Sequence, residues 1–143
     1  MDPTAGALVR VELHLQDDEL ERRQSEHALI PPPLRGRGLI DIGAEVSCLT
    51  AAAAHALALG PTRRFRVSTA SGFRLSNVYP VKVTLGWDMD TPPDPIELES
   101  PEVEVHGADI LIGRDVLSMA EFVLYGPDAR FELVLPRNGG QFR

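Results

Sequence analysis

The sequence predicts an all-β fold, closed or nearly closed, that contains one or two short helices. Residues 7–15 alternate apolar and polar side chains, which is the pattern of a half-buried strand. Further short apolar runs at 34–42, 110–112 and 122–125 are bounded by glycine and proline turn signals. The alanine-rich stretch 51–59 is the clearest helical segment. Many short strands and few helices therefore define the class.

The composition indicates a single folded domain that spans residues 1–143. The chain is 43% hydrophobic and 24% charged, which is typical of a domain with one core. The net charge of -7 argues against a nucleic-acid partner, because we expect no basic face that could neutralise phosphates. No stretch approaches the roughly 20 apolar residues of a membrane span, and the N-terminus lacks signal-peptide features. Because the lone Cys48 cannot form an internal disulfide, we expect a cytoplasmic protein. Because no membrane span is predicted, we also expect no membrane partner.

The first part of the chain is predicted to contain two strands separated by an insertion. Residues 16–33 are dense in Asp, Glu and Arg and end in three consecutive prolines, which indicates a surface insertion. Glu19 and Arg23 have the spacing of a helical ion pair, but the charge density favours a solvated loop. The second strand follows over 34–42, and a short extended segment is expected at 46–49.

The middle of the chain is predicted to form a helix and a long hairpin. Thr50 is the expected N-cap of a helix over 51–59, which Gly60 and Pro61 would end. Residues 66–85 indicate a β-hairpin whose tip is Ser71-Gly72.

The remaining elements are short. The pattern predicts a strand at 102–106 that buries Val103 and Val105, a strand buried on both faces at 110–112, a short helix at 114–120, and strands at 122–125 and 131–135 around a Gly-Pro-Asp turn.

One stretch carries a candidate catalytic group. An apolar strand delivers Asp41 to the start of a Gly43-Ala44 turn, where a carboxylate would be held rigidly and partly away from water. This stretch is the first of three segments that occur in a recognisable order. The segments are Leu39-Ile40-Asp41-Ile42-Gly43-Ala44, the hairpin around Ser71-Gly72, and Ile110-Leu111-Ile112-Gly113-Arg114-Asp115. This order resembles the retropepsin-like aspartic proteases over about residues 9–135.

The resemblance implies a retropepsin-like, closed β-barrel-like fold that works as a two-fold homodimer. Asp41 takes the position of the catalytic aspartate, and the chain contains no second motif of that kind. Two carboxylates about 3 Å apart share one proton, so the ionised one acts as base on a water while the protonated one polarises the scissile carbonyl. The implied activity is that of an aspartic endopeptidase with an acidic optimum, which acts on peptide or protein substrates and needs no cofactor or metal.

The resemblance also assigns further roles. The hairpin around Ser71-Gly72 corresponds to a flap that closes over substrate. The implied substrate-binding residues are Gly43, Ala44, Ser71, Gly72 and Ile112, and the implied dimer or structural residues are Ile42, Glu45, Gly113 and Arg114. Within the second set, we expect a Glu45–Arg114 ion pair.

Ile42 departs from the family pattern. The position after the catalytic aspartate is normally Thr or Ser, whose hydroxyl hydrogen-bonds across the dimer, whereas Ile42 has no hydroxyl. The alternative is therefore a non-catalytic retropepsin-like module that dimerises or binds an extended peptide by strand addition. A purely structural β-domain is a third possibility.

Two rival sites can be drawn from the sequence. Cys48 could be a nucleophile with His55 or His106 as its base, although its apolar surroundings favour a buried, inert thiol. Asp109 and Asp115 could form a carboxylate pair, but a turn role for Asp109 and a helix-cap role for Asp115 are favoured. The four histidines lack metal-ligand spacing.

Overall fold

The computed structural model describes residues 6–128 and 130–135. Its elements are β1 (Leu8–His14), α1 (Asp17–Ser25), β2 (Leu34–Ile40), β3 (Cys48–Thr50), α2 (Ala51–Ala56), β4 (Arg63–Thr69), β5 (Gly72–Leu85), β6 (Ile96–Val103), β7 (Ile110–Ile112), α3 (Arg114–Leu117), β8 (Glu121–Tyr125) and β9 (Arg130–Val134). A single 3-10 turn, Gly126–Asp128, joins the last two strands. The mostly β architecture agrees with the predicted class. None of the described helices is long and apolar enough to cross a membrane.

The main sheet closes on itself. Its strand order is β1-β2-β7-β3-β6-β5-β4, and β1 also pairs with β5, so six strands form a ring. Strand β4 pairs with β5 and lies outside this ring. Strands β8 and β9 form a separate two-stranded sheet.

The core lies inside the ring and follows the alternation of the strands. On β1, Val11 and Leu13 are fully buried, as the period of two predicts. Strand β5 contributes Val81 and Val83 on the same principle, and α2 is followed by the fully buried Leu57. The apolar faces of these elements therefore point to one shared interior.

The polar run 16–27 was expected to form a solvated loop, and this expectation is wrong because Asp17–Ser25 form helix α1. Acidic residues occupy its first turn and arginines its last turn, an arrangement that complements the helix dipole. Arg23 is buried, and its guanidinium donates to Glu19 Oε1 at 2.7 Å and to the carbonyl of Ala58 at 2.7 Å. Polar contacts, those of the buried Arg23 and the Asp17–Lys82 ion pair, thus fix the helix to the domain in place of an apolar stripe.

Helix α2 begins as expected and ends early. The Thr50 hydroxyl accepts the N–H of Ala53 at 3.2 Å, which confirms Thr50 as the N-cap. The helix ends at Ala56 instead of residue 59, because Ala58 has a positive φ of 50° and leaves the helical path before Gly60.

The strand expected at 102–106 is displaced. Strand β6 runs over Ile96–Val103, so Val105 lies outside it and neither Val103 nor Val105 is fully buried. Its buried positions are Leu98 and the polar Ser100. Because one of the buried positions is a serine, the alternation of apolar residues that would identify this strand is interrupted in the sequence.

The hairpin of β4 and β5 projects beyond the ring. Its tip is the turn at 70–71, one residue before the expected Ser71-Gly72. Strand β5 pairs with β6 only from Val78 to Val83, whereas β4 pairs with the residues from Gly72 to Val78. We call β4 together with residues 72–77 the arm.

Candidate active site

Asp41 lies at the first position after β2, and its backbone is held on both sides. Its N–H donates to the carbonyl of Ile112 at 2.9 Å, which continues the parallel pairing of β2 with β7 by one residue. Its carbonyl accepts the N–H of Ala44 at 3.2 Å and closes the turn. The parallel pairing of β2 with β7 therefore fixes the position of the Asp41 backbone.

The Asp41 side chain is half-buried and only partly engaged. Oδ1 accepts the N–H of Gly43 at 3.0 Å, the geometry by which an aspartate stabilises its own turn. Oδ2 accepts no hydrogen bond from the residues that the structure describes, and no described cation pairs with the group. One oxygen is thus anchored while the other is available to a water or to a second carboxyl group.

Gly43 lies close to the Asp41 carboxylate and leaves little room on that side. A Cβ on Gly43 would lie 3.3 Å from Asp41 Oδ1, closer than ordinary van der Waals contact. A side chain here would press on the carboxylate oxygen that the Gly43 N–H binds. Gly43 and Ala44 thus adjoin Asp41, as their predicted site roles require.

Gly113 allows the second motif to pack directly behind this turn. A Cβ on Gly113 would lie 2.6 Å from the carbonyl carbon of Val46, a separation that no side chain tolerates. Immediately after it, the N–H groups of Arg114 and Asp115 donate to the carbonyls of Ala44 and Glu45 at 2.9 and 3.1 Å. The start of α3 therefore supplies the hydrogen bonds that the turn needs.

Ser47 and Asp115 join the two motifs by side chains. The Asp115 carboxylate accepts the N–H of Ser47 at 3.0 Å and its hydroxyl at 2.7 Å. The Ser47 hydroxyl in turn accepts the N–H of Gly113 at 3.0 Å. Ser47 is completely buried, so this network is shielded from water.

Sequence reasoning missed Ser47. The sequence does contain an indication of its role. Ser47 is a small polar residue inside the apolar run 46–49, and a buried hydroxyl needs a hydrogen-bond partner. Asp115 was predicted to cap helix α3, and this prediction is wrong. Gly113 is the N-cap of α3, and Asp115 bonds to Ser47 and to the N–H of Val116.

The predicted Glu45–Arg114 ion pair is confirmed, with 3.8 Å between Oε1 of Glu45 and the Arg114 guanidinium. Both side chains are largely exposed. Exposed pairs of this length contribute little to stability, so the backbone bonds described above hold the motifs together.

Ile112 was expected to border a substrate pocket, and this expectation is wrong. Its side chain is completely buried in the core together with Ile110. Leu111, between them, points to the opposite face of β7 and is only half-buried. A wall accessible to substrate on this strand would therefore be Leu111, because alternate side chains of a strand face opposite sides.

The structure leaves the hairpin tip separate from the turn. Ser71 forms no hydrogen bond with residues 41–47, and Gly72 is the first residue of β5, with a positive φ of 121° that suits glycine. The predicted site residues thus fall into two groups. The turn and the second motif are in contact, while Ser71 and Gly72 lie at the end of the arm.

Ile42 is exposed in the single chain. Its side chain retains 67% of its accessible surface, directly beside a carboxylate that the fold otherwise anchors. Val46, on the same turn segment, is 42% exposed. An apolar residue at such a position is consistent with contact to another surface.

The rival sites lack the required partners. Burial, and then the negative charges of Asp115 and Asp41, raise the pKa of the Cys48 thiol, so it is a poor nucleophile. Its Sγ donates to the carbonyl of Val46, and within the described residues it bonds to no histidine. Asp109 accepts the N–H of Arg37 at 3.0 Å at the far end of β7 from Asp115, so these two carboxylates serve the backbone separately.

No group of three or more His, Cys, Asp or Glu residues in the described ranges, 6–128 and 130–135, is arranged to hold a metal ion. No protein-family model matches the chain, and a search of curated proteins finds no match. Its function must therefore be argued from its own residues.

Proposed function

We propose that the chain is a retropepsin-like aspartic endopeptidase that acts as a homodimer. The observation that carries the proposal is the state of Asp41. It is anchored through its backbone and one oxygen, yet no described cation pairs with it. The nearby Glu45 and Asp115 are each bound to a partner within the chain. A carboxylate that is held in place through one oxygen, while its other oxygen has no described partner, is suited to chemistry.

One Asp41 cannot perform the reaction alone. In the proposed dimer, two symmetry-related Asp41 carboxylates share one proton and hold a water between them. The ionised carboxylate removes a proton from the water, whose oxygen bonds to the scissile carbonyl carbon. The protonated carboxyl group polarises the carbonyl oxygen. The C–N bond then breaks, and a proton passes to the leaving amine.

Other features support the same arrangement. The Ser47–Asp115 network and the close contact at Gly113 restrict movement of the turn, which favours a fixed distance between the paired carboxylates. The exposed Ile42 supplies an apolar contact beside the proposed two-fold axis. The hairpin of β4 and β5 is the proposed cover for the bound peptide.

A cleavage assay at acid pH tests this proposal. The wild type and Asp41→Asn, which differ by one nearly isosteric group, would be incubated with a mixture of unfolded peptides, and products would be identified by mass spectrometry. We expect wild-type cleavage that the substitution abolishes. Equal cleavage by both proteins would exclude Asp41 as the catalytic group.

Ile42 favours a second candidate, a non-catalytic module that dimerises or binds peptides. Without a hydroxyl beneath the carboxylates, the cross-dimer hydrogen bonds that position the two groups are lost. Absence of cleavage by either protein, together with peptide binding and a dimer in sedimentation, would support this candidate.

A further inference from the structure

The acidic residues of the chain are absent from one long segment. None of the 21 Asp and Glu residues falls within 46–87, whereas the same segment contains Arg63, Arg64, Arg66, Arg74 and Lys82. Four of these five basic residues belong to the arm. An acidic chain thus carries one basic element.

The arginines of the arm also differ from the other basic residues in their pairing. Within 6–128 and 130–135, every basic residue outside the arm except Arg37 forms an ion pair with Asp or Glu. The four arginines of the arm form none with the described residues. These four arginines therefore lack an ion-pair partner among the described residues.

Two of these arginines share a face with exposed apolar side chains. The register pairs Arg64 with Asn77, Arg66 with Leu75, and Ser68 with Phe73, and directly paired residues point to the same side of a sheet. Phe73 and Leu75 are 69% and 67% exposed. We call this set of six residues the arm face.

The arm face continues the core side of β5. The alternation that buries Tyr79, Val81 and Val83 extends to Leu75 and Phe73, but there the strand has passed the ring and nothing described covers it. The arginines are held along this surface. Arg64 Nε donates to Asn77 Oδ1 at 3.0 Å, and the Arg66 guanidinium lies 4.9 Å from the Phe73 ring centre.

Arg74 has a different environment. It lines a cavity of about 350 Å³ together with Glu102 and Glu104, two acidic residues of the chain itself. The unmatched charges on the arm face are therefore those of Arg64 and Arg66.

We propose that the arm face binds the substrate and selects an extended peptide that carries acidic side chains beside apolar ones; this inference rests on the proposed protease function. Arg64 and Arg66 lie two residues apart, about 7 Å along the strand, which matches carboxylates at alternate positions of an extended peptide. Phe73 and Leu75 supply the apolar contact. Strand β4 is the last strand of the sheet, so its outer edge can hydrogen-bond a peptide backbone.

Binding to the full chain carrying Asp41→Asn tests the proposal, because this protein cannot consume the probe. The probe is a labelled peptide about as long as β4 that alternates aspartate with leucine, and its comparator has asparagine in place of aspartate. Aspartate stays ionised down to about pH 5, so both peptides can be measured by fluorescence anisotropy at mildly acidic pH. We expect the aspartate peptide to bind about tenfold more tightly at low salt, with the difference shrinking as salt is added.

Two substitutions locate the effect. Arg66→Glu on top of Asp41→Asn should remove the preference for the aspartate peptide, and Arg66→Gln should reduce it. Arg37→Glu is the matched control, since Arg37 is exposed and unpaired with described residues but lies on β2. Equal binding of the two peptides, or an equal effect of Arg37→Glu, would overturn the inference. Tighter, Arg66-dependent binding of a single-stranded oligonucleotide would also overturn it, in favour of a nucleic-acid surface.

The inference and the proposed function can fail separately. If the Asp41→Asn protein selects the aspartate peptide but the wild type cuts neither peptide, the protease proposal fails and the selectivity of the arm stands. If the wild type cuts both peptides with equal kcat/KM, the protease proposal stands and the acidic selectivity fails.

Discussion

The carboxylate of Asp115 accepts both the N–H and the hydroxyl of Ser47, at 3.0 and 2.7 Å, across 68 residues of sequence. The Ser47 hydroxyl also accepts the N–H of Gly113. The two sequence motifs of the candidate site are therefore joined by one buried serine. Asp41 is held by the same pair of segments, so its position depends on this contact.

Replacing Ser47 by alanine should destabilise the fold. The change leaves the N–H of Gly113 buried without an acceptor and removes one bond to Asp115, so we expect a loss of about 1–3 kcal/mol in the free energy of unfolding. Urea denaturation measures it. Ser118→Ala, at an exposed serine just after α3, is the control and should change stability by less than about 0.5 kcal/mol. Equal shifts for the two variants would contradict the role given to Ser47.

Gly113→Ala should be more damaging than an alanine at most other glycines. The added Cβ would meet the Val46 backbone, which cannot move without displacing the Asp41 turn, so we expect a loss of about 1–3 kcal/mol or more. Thermal unfolding provides the measurement. At Gly60 a Cβ meets nothing within 4 Å, so Gly60→Ala should be nearly neutral. A neutral Gly113→Ala would show that the two motifs do not pack as described.

Helix α1 should make stability depend on pH through Glu19. Hydrogen bonds from Arg22 and then Arg23 lower the pKa of Glu19 from 4.5 to about 2. Because the folded pKa lies below the unfolded one, the stabilisation is complete above about pH 4.5 and is lost as the pH falls towards 2. Glu19→Gln should therefore be less stable than the wild type at neutral pH, with a difference that shrinks over this window.

Glu21→Gln is the matched control for that measurement, since Glu21 lies on the same helix and forms no ion pair with described residues. Its stability profile should follow that of the wild type in urea titrations at successive pH values. A Glu19→Gln difference that stays constant from pH 6 to pH 3 would show that the ion pair does not stabilise the native state.

The sequence predicted the elements whose burial follows a simple apolar period. Strand β1 is of this kind, and Thr50 could be identified as a cap because its hydroxyl precedes an alanine run. The Asp41 turn was visible for a related reason. An apolar strand that ends in Asp-x-Gly indicates a carboxylate at a strand end.

The missed features depend on polar groups that only the fold brings together. Helix α1 lacks an apolar face, and polar contacts such as that of Arg23 with the Ala58 carbonyl hold it to the domain. Strand β6 buries Ser100, and the two motifs meet through Ser47, so neither fits an apolar period. The orientation of β7 was also beyond the sequence. A shift of one residue decides whether Leu111 or Ile112 faces the accessible side.

Ile42 should contribute to self-association. Placing a charge at this exposed apolar position, beside the proposed two-fold axis, would bring two like charges together, so Ile42→Asp should shift the monomer–dimer equilibrium towards monomer by at least about tenfold. Sedimentation equilibrium measures this shift. Leu29→Asp is the control, because Leu29 is also an exposed apolar residue but follows α1. Equal effects of the two changes would place the interface elsewhere.

Subunit mixing tests most directly whether two Asp41 carboxylates, one from each subunit, form the catalytic site. Wild type and Asp41→Asn would be mixed at constant total concentration, allowed to exchange subunits, and assayed for peptide cleavage at acid pH. If both carboxylates are needed, activity falls with the square of the wild-type fraction, to about one quarter in an equal mixture. A linear fall, to about one half, would show that each chain acts alone and would contradict the claim.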